Sequence, residues 1–279
     1  MNLAISTKPR RQPSRIILHA LEKWGKTSFA AQAPKPVFLM TKGEDGLATL
    51  INEGLLPETA HFTDPADNWN SLRASLQSLL VTEHSFRTLV LDTLNGAQAL
   101  CFQHIMENQT NNNWKDFQRW DHGPSLAAHA WVDLLAQLDS IRTQKNMSIL
   151  LLCHTAVQTF KNPEGADYDR YQPDLNRKHI WPLSHKWADI ILFGHFETYT
   201  NAKTADTPKA KATGGQGRII LTERHAAYDA GNRHGLPPEI DASPDPGGAW
   251  ANFAAALRKN NHSNTTPCLT QTKKTKETP

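Results

Sequence analysis

RIILHALEKWGKTSFAA (residues 15–31) is the stretch that decides the fold. Its first six residues form an apolar run of strand length, and its last six favour a helix. Between them lies AxxxxGKT, the phosphate-loop pattern GxxxxGK[ST] with Ala20 in place of the first glycine. The chemistry follows from the geometry: successive backbone N–H groups curl around phosphate oxygens while the next helix presents its positive end. Gly25 lets the backbone come close to the phosphate, Lys26 reaches the β and γ oxygens, and the Thr27 hydroxyl binds Mg2+. Glu22, Lys23, Trp24 and Ser28 complete the nucleotide-binding loop. Ala20 must tolerate the turn, yet it approaches no phosphate as closely as Gly25. Leu21 stands where a deviant phosphate loop would carry its signature lysine, so that subclass is unsupported. Lys23 reads in three ways: as charge near the γ-phosphate, as a contact to a neighbouring subunit, or as a solvated loop lysine.

Outward from this loop, further apolar runs recur: 36–40, 88–93, 148–155, 189–197 and 218–224. Several are apolar at consecutive positions, as expected of strands covered on both faces. Helical candidates fill the gaps at 26–32, 46–53, 68–80, 94–107 and 125–143. Strand-helix-strand alternation implies an α/β fold with a mostly parallel sheet and right-handed crossovers. The last two runs are joined by NAKTADTPKAKATGGQG (201–217), which reads as an exposed, mobile connection in a C-terminal β-hairpin extension.

Three acids and a histidine lie where such a sheet would deliver them to the loop. Asp92 ends LVLD, a hydrophobic run plus aspartate that matches Walker B and would hold a metal-bound water; its alternative is a helix cap, since Asp92-Thr-Leu-Asn precedes a helix. Glu44, just past the second strand, is the candidate for orienting the attacking water, with Asp45 its rival and a turn-solvating acid the bland alternative. His154 ends the fourth strand and reads as a γ-phosphate sensor or a satisfied core-edge histidine. The base-reading pattern NKxD is absent, which favours adenine over guanine.

The whole chain has 279 residues, 39% of them apolar and 20% charged, which suits one medium domain with tails. Its net charge of +3 is unevenly spread. Met1–Arg15 has Lys8, Arg10, Arg11 and Arg15 with no acid, and residues 258–279 carry five cations against Glu277, so the body between them is acidic. The expected organisation is a disordered basic tail at 1–14, a body at 15–257 and a disordered basic tail at 258–279. No apolar run approaches a membrane span and no signal peptide is visible, so a cytoplasmic location is expected. Three widely spaced cysteines make no zinc pattern with the histidines.

RIILHALEKWGKTSFAAQAPKPVFLMTKGEDGL, FRTLVLDT, SILLLCHT and AAYDAGNRHGLP together resemble the phage-type AAA-family nucleotide-binding proteins, compact RecA-like ATPases that include single-strand annealing and recombination proteins. The resemblance spans about 15–240 and implies a RecA-like P-loop NTPase fold. It also implies that Lys26 and Thr27 bind phosphate and Mg2+, Asp92 serves as Walker B, Glu44 activates water and His154 senses the γ-phosphate. Arg233 matches the family's late arginine, with Gly231 where a lysine before NR is expected. ATP and Mg2+ are the implied cofactors, single-stranded DNA and further copies of the chain the implied partners. Two stretches mix cations with aromatics as single strands require, 108–123 with Trp114 and Trp120, and 156–189 with Arg170, Tyr171 and Lys178. The second is nearly neutral overall, so an ordinary long insertion is its alternative. The resulting function is an ATP-hydrolysing protein of DNA recombination, repair or replication, possible trans-acting cations being Arg224 or Arg233. The alternative is a nucleotide-dependent switch or scaffold that binds no DNA. A small-molecule kinase is disfavoured, since no Arg-rich lid is visible.

Overall fold

In the computed structural model, which describes residues 5–7, 11–200, 212–243 and 246–263, the apolar runs form strands sandwiched between helices. The strands are β1 (Arg15–Ala20), β2 (Pro36–Met40), β3 (Thr88–Asp92), β4 (Ser148–Phe160), β5 (Tyr168–Pro173), β6 (Ile190–Thr200), β7 (Ala212–Leu221), β8 (Gly231–Asn232) and β9 (Glu239–Asp241). The helices are α1 (Lys26–Ala31), α2 (Gly46–Asn52), α3 (Trp69–Val81), α4 (Leu94–Gln109), α5 (Trp114–Gln118), α6 (His122–Gln144), α7 (Trp181–Trp187) and α8 (Pro246–Ser263).

The sheet runs β2-β3-β4-β1-β6-β7-β9, with β5 on β4 and β8 on β6. Strands β2, β3, β4, β1 and β6 are parallel, while β7, β8, β9 and β5 pair antiparallel. This is the mixed α/β fold with a mostly parallel, helix-flanked sheet that the alternation implies, and β6 with β7 forms the expected hairpin.

Alternate residues of each strand serve opposite cores, which explains why the runs are continuously apolar. Ile17, Leu39, Leu91 and Leu151 pack with residues of α3, α4, α6 and α7. Ile16, Leu18, Phe38, Val90 and Leu152 pack with Phe29 of α1, Leu47 of α2 and Phe253 of α8. Register brings the carboxyl ends of the parallel strands to one edge: Met40 lies beside Asp92, and Ala20 beside both His154 and Gly194. That edge is where a ligand site forms in such sheets.

Local chemistry sets the helix starts. Asn68 caps α3 in a box, its Oδ1 accepting from Ser71 N at 2.9 Å while Ser71 Oγ accepts from Asn68 N at 3.2 Å. Thr93 caps α4, its hydroxyl accepting from Gly96 N.

Three differences from the sequence reading matter. Strand β7 begins at Ala212, so the end of the segment read as connection is strand, and 201–211 lies outside the described residues. Helix α8 runs through the boundary set at 258 because Trp250, Phe253 and Leu257 make an apolar stripe over α1. At the other end, Ser14 O accepts from Ile149 N at 3.0 Å and Pro13 O accepts from Arg142, which fixes the chain just before β1. Residues 1–4, 8–10 and 264–279 of the expected tails lie outside the described residues.

Candidate nucleotide site

Strand β1 ends in the loop 20–25, whose shape depends on a neighbour. Ala20 is fully buried, and a Cβ placed on Gly194 of β6 would fall 2.8 Å from the Ala20 Cβ and 2.7 Å from the Trp24 ring. Ala20 therefore fits in place of a loop glycine because β6 supplies a glycine opposite it. Trp24 is also fully buried and donates from Nε1 to His195 O at 3.1 Å, pinning the loop to β6. Gly25 has φ 106°, a left-handed conformation that suits glycine, while Lys23 adopts φ 60° at the exposed crest.

The chemistry gathers beyond this loop. Lys26 is 8% exposed and donates from Nζ to the loop's own carbonyls, Ala20 O at 3.1 Å and Leu21 O at 3.3 Å. Burial holds its pKa below the ordinary lysine value. Thr27 Oγ1 donates to Asp92 Oδ2 at 3.0 Å. Burial, reinforced by the charge of Glu44, raises the Asp92 pKa to about 6, against the hydrogen bond from Thr27 and the charge of Lys26. Thr93 Oγ1 donates to Glu44 Oε1 at 3.1 Å, and His154 Nε2 lies 3.5 Å from the same oxygen. The His154 bond, helped by Thr93 and opposed by burial, holds the Glu44 carboxyl below its usual range.

Two residues unnoticed in the sequence support this group. Thr41 accepts from Thr93 N at 3.1 Å and donates to Asp92 O at 3.4 Å, tying the ends of β2 and β3 together. Asn95, on the first turn of α4, accepts from His154 N at 2.7 Å and donates from Nδ2 to Asp174 O at 2.5 Å. It links the middle of β4, which runs on past the expected end at His154 to Phe160, to the segment between β5 and α7. Its signal was available: Asn95 stands three residues after Asp92, one helical turn past the strand.

Glu22, Lys23, Gly25, Lys26, Thr27, Ser28, Glu44, Asp92 and His154 all line one cleft of about 900 Å3, together with Asp45. That volume suits a nucleotide. Two of the positions named from the sequence do not line this cleft. The Trp24 side chain packs into the core instead of lining the cleft, leaving only its backbone near the loop. Arg233 belongs to the opposite edge: its N donates to Asp189 O at 3.1 Å and its guanidinium lies 3.7 Å from Asp189 Oδ1, because β8 pairs with the start of β6. The arginine in the cleft is instead Arg218 of β7, which the sequence reading did not single out.

The stretches read as nucleic-acid contacts divide similarly. Arg170 is internal, 3.3 Å from Asp229 and stacked over Phe160, so it faces no partner strand. Trp120, by contrast, is 91% exposed with φ 54°, and Trp114 is 55% exposed. Lys178 Nζ meets Asp121 Oδ2 at 2.6 Å, which joins the two stretches into one surface.

Comparison with known proteins bears on this cleft. The model of an AAA domain family matches residues 12–234. No curated protein sequence matches the chain. Among solved structures, the crystal structure of the RadB recombinase aligns at 13% identity and TM-score 0.45, covering 83% of this chain and 89% of that one. Among the described residues, no helix is long and apolar enough to cross a membrane.

Proposed function

The chain belongs to the AAA domain family, and from that premise we propose that it binds ATP with Mg2+, hydrolyses it, and works on single-stranded DNA in recombination, repair or replication as a cytoplasmic homo-oligomer. The observation that carries the nucleotide reading is the convergence of Lys26, Thr27, Asp92 and Glu44, from the ends of β1, β3 and β2, and of His154, from the middle of β4, on one cleft.

Lys26 exchanges the loop carbonyls for phosphate oxygens, which suits a buried ammonium. The donor set fits Mg2+: a hydroxyl and a buried carboxylate 3.0 Å apart, whose burial favours a cationic partner. Mg2+ binds through one or two such groups plus phosphate and water, in keeping with the lack among the described residues of a larger metal-ligand cluster. When bound, the ion offsets charge on the phosphate oxygens. Glu44, kept ionised by His154 and Thr93, accepts a hydrogen bond from the attacking water and orients it. His154 sits on that same oxygen, so a γ-phosphate competing for His154 would alter Glu44. Asn95 carries the displacement to Asp174.

The DNA reading is supported by the joined surface of Trp114, Trp120 and Lys178, on which bases can stack while cations meet phosphates. The test has two arms. Lys26→Ala should lower ATP affinity at least a hundredfold and abolish turnover; unchanged affinity would refute the nucleotide reading. At low salt an oligothymidine should quench tryptophan fluorescence and raise ATPase activity, and Trp120→Ala should weaken that binding. No DNA effect at low salt would favour the second reading, a nucleotide-dependent switch, which the Asn95 link to Asp174 supports.

A further inference from the structure

We infer that Arg218 binds the phosphate chain of the nucleotide held by its own protomer, so that the cation completing the site comes from within the chain. This rests on the nucleotide reading above and names, within the chain, a cation that the sequence alone suggested a neighbouring subunit would supply.

Strand order places Arg218 on the flank of the loop opposite Glu44, Asp92 and His154. Across the sheet, Asp92 ends β3, His154 lies on β4, the loop follows β1, and β6 and β7 come next. Arg218 pairs with Phe196, two residues beyond Gly194, which itself pairs with Ala20 at the mouth of the loop. The arginine thus stands level with the phosphate loop, on the side away from Glu44 and His154, and it lines the same cleft.

Its backbone is held on both sides. Besides the ladder with β6, Arg218 N donates to Ser243 Oγ at 2.6 Å and Arg218 O accepts from Ala242 N at 2.8 Å. The guanidinium lies over the Phe196 ring, 5.6 Å from its centroid. Stacking fixes the plane of the fork while its edge N–H groups keep the geometry that matches two phosphate oxygens.

Charge accounting points the same way. The cations lining the cleft are Lys23, Lys26 and Arg218; the acids are Glu22, Glu44, Asp45 and Asp92. A triphosphate enters a cleft already short of positive charge, so each cation there weighs heavily. Lys23 is at the exposed crest. Arg233 is engaged by Asp189 at the far edge.

The experiment uses the full chain and measures ATP affinity and turnover with Mg2+ for wild type, Arg218→Gln and Arg218→Lys. Expected are an ATP affinity at least tenfold weaker and a turnover at least a hundredfold lower in Arg218→Gln. Arg218→Lys, which keeps the charge and loses the fork, should fall between. Wild-type affinity and turnover in Arg218→Gln overturn the proposal and leave the nucleotide reading intact, whereas failure of the wild type to bind ATP overturns both. Thermal melting checks the fold, and Arg218→Lys carries the test where Arg218→Gln melts early. Mixing Arg218→Gln with Lys26→Ala protein decides the source of the cation. Activity of the mixture equal to the sum of its parts supports action within one chain; recovery above that sum shows a neighbour supplying Arg218 and overturns the proposal.

Discussion

Asp92 ends β3 at the carboxyl edge of the sheet, and Asp189 precedes β6 at the amino edge; both are largely buried, and their environments push them in opposite directions. Burial raises the Asp92 pKa to about 6, since a single Thr27 hydroxyl at 3.0 Å and the more distant Lys26 offset too little of the lost hydration. Burial also disfavours the Asp189 anion, yet Arg15 more than compensates through side chain and backbone, with Arg142 adding charge, so the pKa ends below normal. Arg15 reaches Asp189 Oδ1 at 2.8 Å, with Arg142 and Arg233 at 3.5 Å and 3.7 Å. The amino edge satisfies its charges with its own residues. The carboxyl edge leaves an anion undercompensated beside a cleft, as expected where a ligand completes the electrostatics.

This contrast can be broken by exchanging the two effects. Asp189→Ala should destabilise the protein by about 3 kcal/mol, since Arg142 and Arg233 lose this carboxylate and Arg15 keeps only Asp139, while ATP affinity stays near wild type. Asp92→Asn keeps an acceptor for Thr27 and removes the undercompensated charge, so urea unfolding at pH 7.5 without Mg2+ should show higher stability. Its Mg2+-dependent ATP binding should nevertheless fall at least a hundredfold. If Asp92→Asn were the destabilising member of the pair, the carboxyl edge would be structural and the contrast would collapse.

How much of this was legible follows the same division. Strands β1 to β3 and the first half of β4 could be read because both faces are buried, leaving apolar runs bounded by Pro, Gly or polar residues, whereas β4 beyond His154 is half-exposed and does not read as strand to its end. Lys26, Thr27, Asp92 and Glu44 could be placed because a parallel sheet sends its strands' carboxyl ends to one edge, whatever the strand order, and His154 lies level with that edge although β4 runs on beyond it. Arg218 escaped because its location depends on an antiparallel return: β7 runs back along β6, and a residue within the strand, opposite Phe196, reaches the cleft. Arg233 lies far from its own chain's cleft for the complementary reason: its segment returns antiparallel along β6 and reaches the amino edge. Helix α8 was hidden because its stripe of Trp250, Phe253 and Leu257 is followed by a polar segment that reads as tail.

The phosphate loop's missing glycine gives a sharper probe of the carboxyl edge. Gly194→Ala drives a Cβ to within 2.7 Å of the Trp24 ring and 2.8 Å of the Ala20 Cβ. Overpacking of this kind costs about 2 kcal/mol, and distortion of the loop should weaken ATP binding. Ala20→Gly in the same chain removes one of the two clashes, so a double-mutant cycle should recover part of the loss. Strict additivity would mean that Ala20 and Gly194 are not exchanging space.

The smallest effect concerns pH, where the two kinds of buried group oppose each other. His19 is fully buried; its Nε2 donates to Asp229 O at 2.6 Å, which leaves Nδ1 to accept from Thr155 Oγ1 at 2.9 Å. Burial lowers its pKa from 6.5 to about 4, opposed by Asp229. As pH falls through 6.5 the unfolded chain takes up this proton and the folded one does not, so stability present at higher pH is lost progressively down to the folded value. Between pH 7.5 and 5.5 the loss is about 1 kcal/mol. Asp92 has the opposite sign: its raised pKa lets the folded state bind a proton near pH 6, before the unfolded state does, which adds stability as pH falls. His195 and His234, lowered chiefly by burial, act in the same direction as His19. In EDTA, wild type should therefore lose less stability across this window than the histidines alone would cost. Asp92→Asn, lacking the compensating proton, should lose about 1 kcal/mol. Adding His19→Gln to Asp92→Asn should reduce that loss, and equal slopes in all three proteins, measured by urea unfolding, would show that neither buried group titrates as its surroundings require.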